Sequence, residues 1–568
     1  MSDRIESAYP LTPGQGGILF HAVSGDKPGA YIVQIVIEIS GPFDHEKSNL
    51  AWDQLVARHE ALRTAFVWRG QRKPIQVVGR RAKLARSRAD LSSMDPDAQK
   101  DHISAWLVQD RQEGFDLNSA PLARVTHFEL GNGRHQLVFT FHHLILDGWS
   151  IPILLKDWMA LYASARLLDP VSLRGHLAWL HNQDDDAAKA FWREEIGTHS
   201  FGIMDRLPAP QTPPTSRRGD LSVSLDTEET HALGQSLRPY GITLATAVQG
   251  AWSIALGKLS GQTDVVYGLA RSGRPPALPG AEQRVGMFLN TLPVLAHLDL
   301  EDSASGLLAK LQKSVQSQNH FEHVPLAEVQ SMHVSRGRAM FDSAVVFENY
   351  PTAKGILYQL PGLRIDALEV YEQTSLPLTL FASGTSELRL RLLFDAESIA
   401  ETAAQTLLID LRSILLSIST APGTQLKEFG LSPQVISATG ATSVKGLKEP
   451  SFGPAETAKL GEIWADILGL SEMPSAQESF FDLGGHSILV ISLQDRVRTD
   501  FGHEVEIADL FRFATLSQQA SMIAANARGE SNALSSSVEE RIQKRASGRD
   551  RLVQRRNRRQ GQGAVAHV

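Results

Sequence analysis

The 568-residue chain contains no cysteine. This absence excludes disulfide bonds, fits a reducing cytosol, and means that any thiol chemistry must come from a cofactor. No run of 18 apolar residues occurs, so the sequence predicts no transmembrane helix. The opening residues, MSDRIESAYPLTP, lack the basic and apolar regions of a signal peptide. The chain is therefore predicted to be cytoplasmic, with no membrane partner.

Several catalytic and metal-binding motifs are also missing. Neither HxxxH nor HExxH occurs near the paired histidines at 142 and 143, and GxSxG does not occur. A usable metal site needs three or more ligands at sensible spacing. The sequence therefore predicts no metal site and no serine nucleophile.

The net charge of −7 conceals a strongly basic end. Residues 541–568 hold nine lysines or arginines against one acid, which leaves −15 on residues 1–540. A basic segment of this kind can bind nucleic acid. No aromatic residue is interleaved with these charges and no nucleic-acid-binding motif accompanies them, so we expect a tail that meets an acidic protein surface.

The segment FHHLILDGWS, residues 141–150, carries the first candidate chemistry. Residues 136–146 are rich in β-branched and aromatic side chains and predict a strand that is buried on both faces. Asp147 and Gly148 would end this strand, and Ser150 would cap the helix that follows. The motif is thus predicted to lie where a strand turns into a helix.

His142 and His143 allow two interpretations. Neighbouring residues of a strand point to opposite faces, so the two rings cannot easily share one metal ion. Most histidines in such a place are core residues with hydrogen-bond partners. The alternative is one basic imidazole, whose ordinary pKa of about 6.5 suits proton transfer near neutrality.

Composition divides the chain into four parts. Residues 1–431 mix helical and strand-like patterns, whereas 432–453 are rich in Ser, Thr, Gly, Pro and Ala and predict a linker. Residues 454–527 predict a compact helical unit, and 528–568 form a polar, basic tail. The helical unit opens with an apolar stripe of Leu460, Ile463, Trp464, Ile467 and Leu468.

The segment FFDLGGHSILV, residues 480–490, is the second candidate site. Gly484 and Gly485 permit a tight, exposed turn, and Ser487 opens a helix with apolar positions at Leu489, Leu493 and Val497. A serine at a helix start is most often an N-cap. A phosphate esterified to Ser487 would also be stabilised there by the free N–H groups and the helix dipole.

This second segment resembles the phosphopantetheine-attachment motif LGGHS of peptidyl carrier proteins. The resemblance implies an all-α four-helix bundle in residues 454–527, with 4′-phosphopantetheine on Ser487. That group would supply the thiol that the chain lacks. A phosphopantetheinyl transferase is then an implied partner.

The first segment belongs to an ordered series that resembles the condensation domains of nonribosomal peptide synthetases, across residues 1–431. The resemblance implies an α/β (α+β) fold of two lobes like chloramphenicol acetyltransferase, roughly 1–175 and 176–431. The other members of the series are AYPLTPGQGGILFH, RHEALRTAF, HLAWLHNQD, YGLARSGRPPALPG, VGMFLNTLPV, EHVPLAEVQ and FDSAVVFENYP.

The resemblance also implies roles for individual residues. His143 is implied as the catalytic histidine, which would accept a proton from the acceptor amine or orient that amine. His142 and Asp147 are implied to be structural, with Asp147 pairing with Arg274 to fix the loop beneath His143. Gly148 would allow close backbone approach, and its N–H could face a developing oxyanion.

Four further positions qualify this match. Asn290 occupies a family position near the cavity, although a strand-end amide explains it equally well. Gly14 and Gly16 replace larger residues of the first motif, and Leu295 stands where an arginine is common. These three departures bear on partner docking or lobe closure and leave the catalytic residues intact.

The predicted function is amide formation between a donor acyl or peptidyl thioester on an upstream carrier protein and an acceptor amine on the chain's own carrier. Because no adenylation motif occurs and residues 430–455 leave no room for such a domain, a trans-acting adenylation enzyme is expected to load Ser487. The first motif begins almost at residue 1, so the donor carrier is expected on another protein.

The basic tail is expected to dock a downstream protein. The sequence leaves two other functions open. The first is acyl transfer to a free alcohol or amine, and the second is an inactive platform that only recruits partners.

Overall fold

The computed structural model divides the chain into two compact units, residues 1–440 together with the short segment 486–492, and residues 441–485 together with 493–568. The predicted linker, 432–453, and the basic tail, 528–568, lie outside the described residues. The described residues are 4–24, 29–71, 73–197, 207–210, 218–333, 340–348, 362–384, 386–431, 454–485 and 487–527.

The first half of the first unit contains seven strands among its described residues: β1 Ile5–Pro10, β2 Ile32–Ser40, β3 Thr64–Val67, β4 Ile75–Gly79, β5 Ala85–Asp90, β6 Ala123–Gly131 and β7 Arg134–His142. Its described helices are α1 Pro13–Ser24, α2 His45–Arg58, α3 Pro96–Glu113, α4 Ser150–Tyr162, α5 Arg174–His181 and α6 Asp185–Ile196. Strands β1, β4 and β3 form a small sheet, and β2, β7, β6 and β5 lie side by side in a larger one.

The second half adds a six-stranded sheet in the order β10-β9-β11-β13-β14-β8. Its strands are β8 Arg218–Leu225, β9 Asp264–Arg271, β10 Asn290–His297, β11 Ser343–Glu348, β13 Leu378–Ser383 and β14 Leu388–Asp395. The described helices are α7 Thr227–Leu237, α8 Leu244–Ser260, α9 Ala304–Gln318, α10 Leu326–Ser331 and α11 Glu401–Thr420.

One strand from the second half of the first unit belongs to the large sheet of the first half. Strand β12, Arg364–Tyr371, pairs antiparallel with β2, so that Tyr371 faces Gln34 in the register. The large sheet of the first half therefore has five strands in the order β12-β2-β7-β6-β5. This exchange explains why the sequence shows no clear gap between the two halves.

Helix α8 is the buried centre of the second half. Thr243 caps its first turn by accepting the N–H of Thr246, and Gly261 ends it in the left-handed conformation. Trp252 is fully buried in a core that α8 shares with the six-stranded sheet and α11. A polar side chain on a helix that is buried nearly all round needs a hydrogen-bond partner, as Ser253 has in the carbonyl oxygen of Gln249.

The carrier region, residues 454–527, is helical in its described part, with α12 Pro454–Leu468, α13 Ser487–Phe501, α14 Ile507–Arg512 and α15 Leu516–Ala527. The ring of Trp464 meets that of Phe480 edge-on, 5.1 Å between centroids, and its N–H donates to Gln519 at 3.1 Å. Four residues of the predicted apolar stripe are buried on α12, whereas Leu468 is only partly buried, and Leu489, Leu493 and Val497 are buried on α13.

Candidate active site and carrier site

The histidine pair lies where β7 ends. The strand ends at His142, four residues before the predicted end at residue 146. His143 begins a turn, so the predicted strand over 136–146 was too long. His142 itself causes this stop. Its Nδ1 accepts the N–H of Leu144 at 3.1 Å, and its carbonyl oxygen accepts the N–H of Ile145 at 3.1 Å.

The ring of His142 is buried away from water. Burial, together with His143, lowers its pKa to about 3, so the ring is neutral near pH 7. A neutral Nδ1 that already accepts a backbone N–H is occupied. This geometry fits the structural role that the resemblance implies for His142.

His143 lines a cavity of about 430 Å³. Its backbone N–H donates to the carbonyl oxygen of Tyr31 at 2.8 Å, and Tyr31 holds a left-handed φ of 62° that few non-glycine residues adopt. Burial lowers the pKa of His143, and the nearby charge of Asp147 opposes this only in part. The ring is therefore a neutral proton acceptor near pH 7.

Asp147 and Arg274 form a bidentate buried pair, as expected. Nη1 of Arg274 donates to Oδ2 of Asp147 at 2.5 Å, and Nη2 donates to Oδ1 at 3.0 Å. The two side chains are 0% and 3% exposed. The Phe288 N–H also donates to Oδ2 at 3.1 Å, so the carboxylate is fully hydrogen-bonded without water.

Ser150 completes this network but does not cap helix α4. The helix starts at Ser150 itself, and Trp149, the residue before it, makes no side-chain cap bond. The predicted N-cap was wrong because Asp147 takes that role, accepting the Ser150 N–H at 3.0 Å. Oγ of Ser150 instead lies 2.8 Å from the Gly286 carbonyl oxygen and accepts the Gly286 N–H at 3.0 Å.

These bonds join the loop after β7 to segment 284–288 of the second half. The sequence showed Asp147 and Arg274 as separate motifs, and it carried no signal for the bonds between Ser150 and Gly286 because these residues lie 136 positions apart in the chain. Gly148 lines the same cavity as His143. The cavity thus brings together the imidazole, a glycine backbone and a rigid loop.

Among the predicted site residues, His143 and Gly148 line the cavity, whereas Asn290, like His142, Asp147 and Arg274, is not in its described lining. Asn290 opens β10, is 3% exposed, and its Nδ2 donates to the carbonyl oxygens of Glu322 and Val324 at 2.9 and 2.8 Å. This geometry corresponds to the strand-end amide rather than to a group that meets substrate.

The departures from the family pattern also have structural settings. A Cβ on Gly14 would lie 1.9 Å from the carbonyl oxygen of Leu289, so only glycine allows α1 to approach this strand end. Leu295 is partly buried and packs against a small core around Trp192. Both residues thus serve packing within the first unit.

Ser487 is the first residue of the 15-residue helix α13. The turn before it is held by Phe480 and Phe481, which are buried, and by the Gly485 N–H, which donates to the Phe480 carbonyl oxygen at 2.8 Å. A Cβ on Gly485 would lie 2.2 Å from the Phe480 ring. His486 lies outside the described residues.

These residues fit a phosphopantetheine site. Gly485 lets the turn pack closely, and Gly484 has a φ of 95° with no atom within 4 Å of the place where a Cβ would lie. A phosphate ester at the first residue of α13 would meet free N–H groups and the positive end of the helix dipole.

Metal ligation and membrane crossing have no support in the described part of the chain. No group of three or more His, Asp or Glu side chains in the described ranges is arranged to hold a metal ion. Of the helices that the structure describes, none is both long and apolar enough to cross a membrane.

Family models match both units. A condensation-domain model matches residues 5–437, and a model of the phosphopantetheine attachment site matches residues 458–523. The second match makes 4′-phosphopantetheine the cofactor of this unit, in agreement with the prediction. Such a unit must also meet a phosphopantetheinyl transferase and other synthetase domains.

Curated relatives are large synthetases. One of the linear gramicidin synthase proteins of Brevibacillus parabrevis is 35% identical over 441 residues, which are 75% of this chain and 6% of that protein. Chondramide synthase of Chondromyces crocatus is 32% identical over 428 residues, 66% of this chain and 11% of that protein. The chain thus spans only a small part of the relatives that it matches.

Solved structures agree on the fold. The condensation domain of the monacolin K polyketide synthase is 18% identical, with a TM-score of 0.63 over 74% of this chain and 100% of that one. A four-domain nonribosomal peptide synthetase bound to AMP and glycine is also 18% identical, with a TM-score of 0.64 over 75% of this chain and 34% of that one. The expected two-part fold, mixed α/β followed by a helical carrier, is confirmed. The chain belongs to the condensation-domain family of nonribosomal peptide synthetases, a family of acyltransferases, and a phosphopantetheine-attachment domain follows its condensation domain.

Proposed function

We propose that this chain forms an amide bond between a donor acyl or peptidyl thioester and an acceptor amine. The observation that carries the proposal is the neutral imidazole of His143, which lines a cavity from a loop that the Asp147–Arg274 pair locks in place. A neutral imidazole can accept a proton at its free nitrogen. No further nucleophile is required, because a thioester is already an activated acyl group.

The chemistry assigns a task to each group. The amine nitrogen attacks the thioester carbonyl carbon, the C–N bond forms and the C–S bond breaks, and the sulfur leaves as a thiolate that takes up the proton lost by the amine. His143 accepts the proton that the amine loses, or orients the amine for attack. The Gly148 N–H is the proposed donor to the developing oxyanion. His142, Asp147 and Arg274 are positioning residues.

The acceptor in this proposal is held on Ser487. When bound there, phosphopantetheine supplies the thiol that holds an aminoacyl group as a thioester. The two family matches end and begin at residues 437 and 458, a gap too short for an adenylation domain between them. We therefore propose loading by a trans-acting adenylation enzyme after modification by a phosphopantetheinyl transferase, and an upstream carrier protein as donor.

The remaining partner and the location complete the proposal. The basic tail, 528–568, is the proposed docking element for a downstream protein, by charge complementarity. A cytoplasmic location and the domain bounds 1–431 and 454–527 belong to the same proposal. So does Asn290 as a residue that supports the cavity from outside its lining.

Intact-protein mass spectrometry tests this function. The chain is incubated with coenzyme A and a broad phosphopantetheinyl transferase, then with an aminoacyl donor system and a candidate acyl carrier. We expect one phosphopantetheine on Ser487, and a further acyl-aminoacyl mass that disappears in His143→Ala and persists in His181→Ala, a change at an exposed histidine.

Other results would redirect the proposal. A loaded carrier with free product and no elongated mass would identify a transferase to a soluble alcohol or amine. Equal product formation by His143→Ala would contradict the catalytic role and favour a recruitment platform. A wild-type chain that gains no mass, like Ser487→Ala, would contradict the attachment site.

A further inference from the structure

Tyr31 contacts the backbone of His143 from the neighbouring strand. Strand β2 begins at Ile32, which pairs with His142 at the end of β7. Tyr31 therefore lies just outside the paired residues, and its carbonyl oxygen accepts the N–H of His143 at 2.8 Å. This bond extends the contact of the two strands by one residue and reaches the first residue of the candidate active loop.

The backbone of Tyr31 has a conformation that costs a tyrosine free energy. Its φ of 62° lies in the left-handed region, where the Cβ of a non-glycine residue crowds the backbone. Gly29, in the same turn, has a φ of 77° and no Cβ to crowd. Non-glycine residues stay in this region only where their surroundings enforce it, and they are frequent at functional sites. Tyr31 must therefore be held by contacts that offset the cost.

The residues that follow strand β12 supply two of these contacts. The N–H of Tyr31 donates to the carbonyl oxygen of Gln373 at 3.2 Å, and its hydroxyl lies 2.6 Å from Oγ of Ser375. Burial raises the pKa of Tyr31 to about 12, so the hydroxyl is protonated near pH 7 and can donate to Ser375. The ring of His21, on helix α1, stacks on the tyrosine ring with 6.2 Å between centroids. Tyr31 is thus held at its backbone, its hydroxyl and its ring.

The ring of His143 takes its place in the cavity from its own backbone. Among the described residues, no side chain hydrogen-bonds its buried Nδ1. Asp147 and Arg274 fix the other end of the loop, whereas the bond to Tyr31 acts at His143 itself. A shift of Tyr31 would move the oxygen that receives the His143 N–H, and the imidazole would move with it.

We propose that Tyr31 is a positioning residue for His143, and that Ser375 and the Gln373 carbonyl oxygen hold Tyr31 in the left-handed conformation that this task requires. The segment after β12 then does more than end a strand, because it supports the candidate active loop through Tyr31. The inference rests on the proposed function, since it adds a residue to the same reaction.

The first test follows the ring of His143 and needs no turnover. Burial holds the pKa of His143 below its ordinary value of 6.5, and a ring that moves toward water should titrate nearer that value. NMR of the full chain with isotope-labelled histidine, assigned by comparison with His143→Ala, measures this pKa. We expect a higher pKa in Tyr31→Phe and in Ser375→Ala. Ser375→Thr retains the hydroxyl and should keep the wild-type pKa.

Tyr162→Phe is the matched control for this test. The Tyr162 hydroxyl accepts the N–H of Asp44 at 2.7 Å, so the change also removes one hydroxyl hydrogen bond, at the far end of helix α4 from the active loop. It should leave the pKa of His143 at the wild-type value. An unchanged pKa of His143 in Tyr31→Phe, in Ser375→Ala and in their double variant would overturn the inference.

The second test measures condensation with carrier-bound substrates. Tyr31→Phe and Ser375→Ala should each lower kcat by about tenfold and leave KM unchanged, because a displaced imidazole affects the reaction rather than the binding of substrate. The double variant should be no slower than the slower single variant, since both changes break the same bond. Tyr162→Phe and Ser375→Thr should keep the wild-type kcat.

The outcomes of the second test separate the inference from the proposed function. Condensation by Tyr31→Phe and Ser375→Ala at the wild-type kcat would overturn the positioning role. Absence of condensation by the wild-type chain would count against the proposed function and leave the pKa of His143 to decide the inference.

Discussion

At the scale of single residues, one buried carboxylate organises the candidate active loop. Asp147 accepts bonds from Arg274, Ser150 and Phe288 at once, so the loop that carries His143 has one geometry. The sequence indicated the pair with Arg274 through the family resemblance. It did not indicate the other donors, because their contacts depend on how the two halves of the unit meet.

Loss of Asp147 should therefore destabilise the first unit strongly. Asp147→Ala leaves Arg274 buried without its counter-charge, and we expect the free energy of unfolding to fall by about 3–5 kcal/mol. Urea titration monitored by tryptophan fluorescence measures this change. Lys427→Ala removes an exposed ion pair with Glu301 and should cost about 1 kcal/mol or less. Similar small losses in both variants would contradict this account.

A second residue-scale prediction concerns acid stability. Burial lowers the pKa of His127 and His142 to about 3 and of His176 to about 4, below the ordinary value of 6.5. Above pH 6.5 these rings are neutral in both the folded and unfolded states and contribute nothing to pH dependence. Below pH 6.5 the unfolded state binds the protons, so stability is lost as the pH falls toward 3–4.

His127 allows this prediction to be isolated, because it lies outside the candidate site. Both of its ring nitrogens are buried without a hydrogen bond among the described residues. His127→Phe should therefore lose up to about 1.4 kcal/mol less stability per pH unit between pH 6.5 and 4.5 than wild type. If the free energy of unfolding depends on pH in the same way in the two proteins, His127 does not contribute to the loss of stability in acid.

At the scale of elements, the approach of α1 to Leu289 depends on one glycine. A Cβ at Gly14 would meet the Leu289 carbonyl oxygen at 1.9 Å, whereas a Cβ at Gly17 meets no atom within 4 Å. The two glycines lie on the same helix, Pro13–Ser24. Gly14 therefore tests the contact between the two halves of the first unit, and Gly17 is its matched control.

Gly14→Ala should lower the thermal midpoint of the first unit, because helix α1 must shift away from the strand end. Gly17→Ala should leave the midpoint unchanged or raise it, since alanine favours a helix over glycine by about 1 kcal/mol. Differential scanning calorimetry of the two variants gives the comparison. The same midpoint shift in both would show that the close approach does not matter.

Strand β12 illustrates what element prediction from sequence misses. Segment 364–371, RIDALEVY, contains Ile365, Val370 and Tyr371, which favour a strand, but these residues do not specify a sheet. The structure places it beside β2, and the Tyr371 ring lies 3.6 Å from the Arg111 guanidinium carbon and 4.4 Å from that of Arg218. The partner sheet was decided by tertiary packing.

At the scale of the whole molecule, the chain divides into two compact units. In the second unit, Trp464 packs on Phe480 and donates to Gln519, which in turn donates to the Leu510 carbonyl oxygen at 3.1 Å. These contacts join α12, α14 and α15 to one another. A core of this kind should be sufficient for independent folding.

Residues 441–568 expressed alone should therefore fold and accept phosphopantetheine on Ser487. Circular dichroism should show a cooperative helical transition, and intact mass spectrometry should show one added group. Trp464→Ala should unfold this fragment, because large buried aromatic residues contribute about 3–5 kcal/mol. A wild-type fragment without a cooperative transition would show that the carrier unit depends on the rest of the chain.

The sequence by itself determined the two families, the order of the units, the turn before Ser487 and the neighbourhood of His143. These features are local, since they depend on contiguous motifs and on periodicity that a single segment carries. Only the tertiary structure decided where β7 stops, that Asp147 and not Ser150 caps α4, that β12 joins the first sheet, and that Asn290 faces two carbonyl oxygens. It also decided that Tyr31 meets both Ser375 and His143, because their positions in the chain have no common pattern until the strands and helices pack.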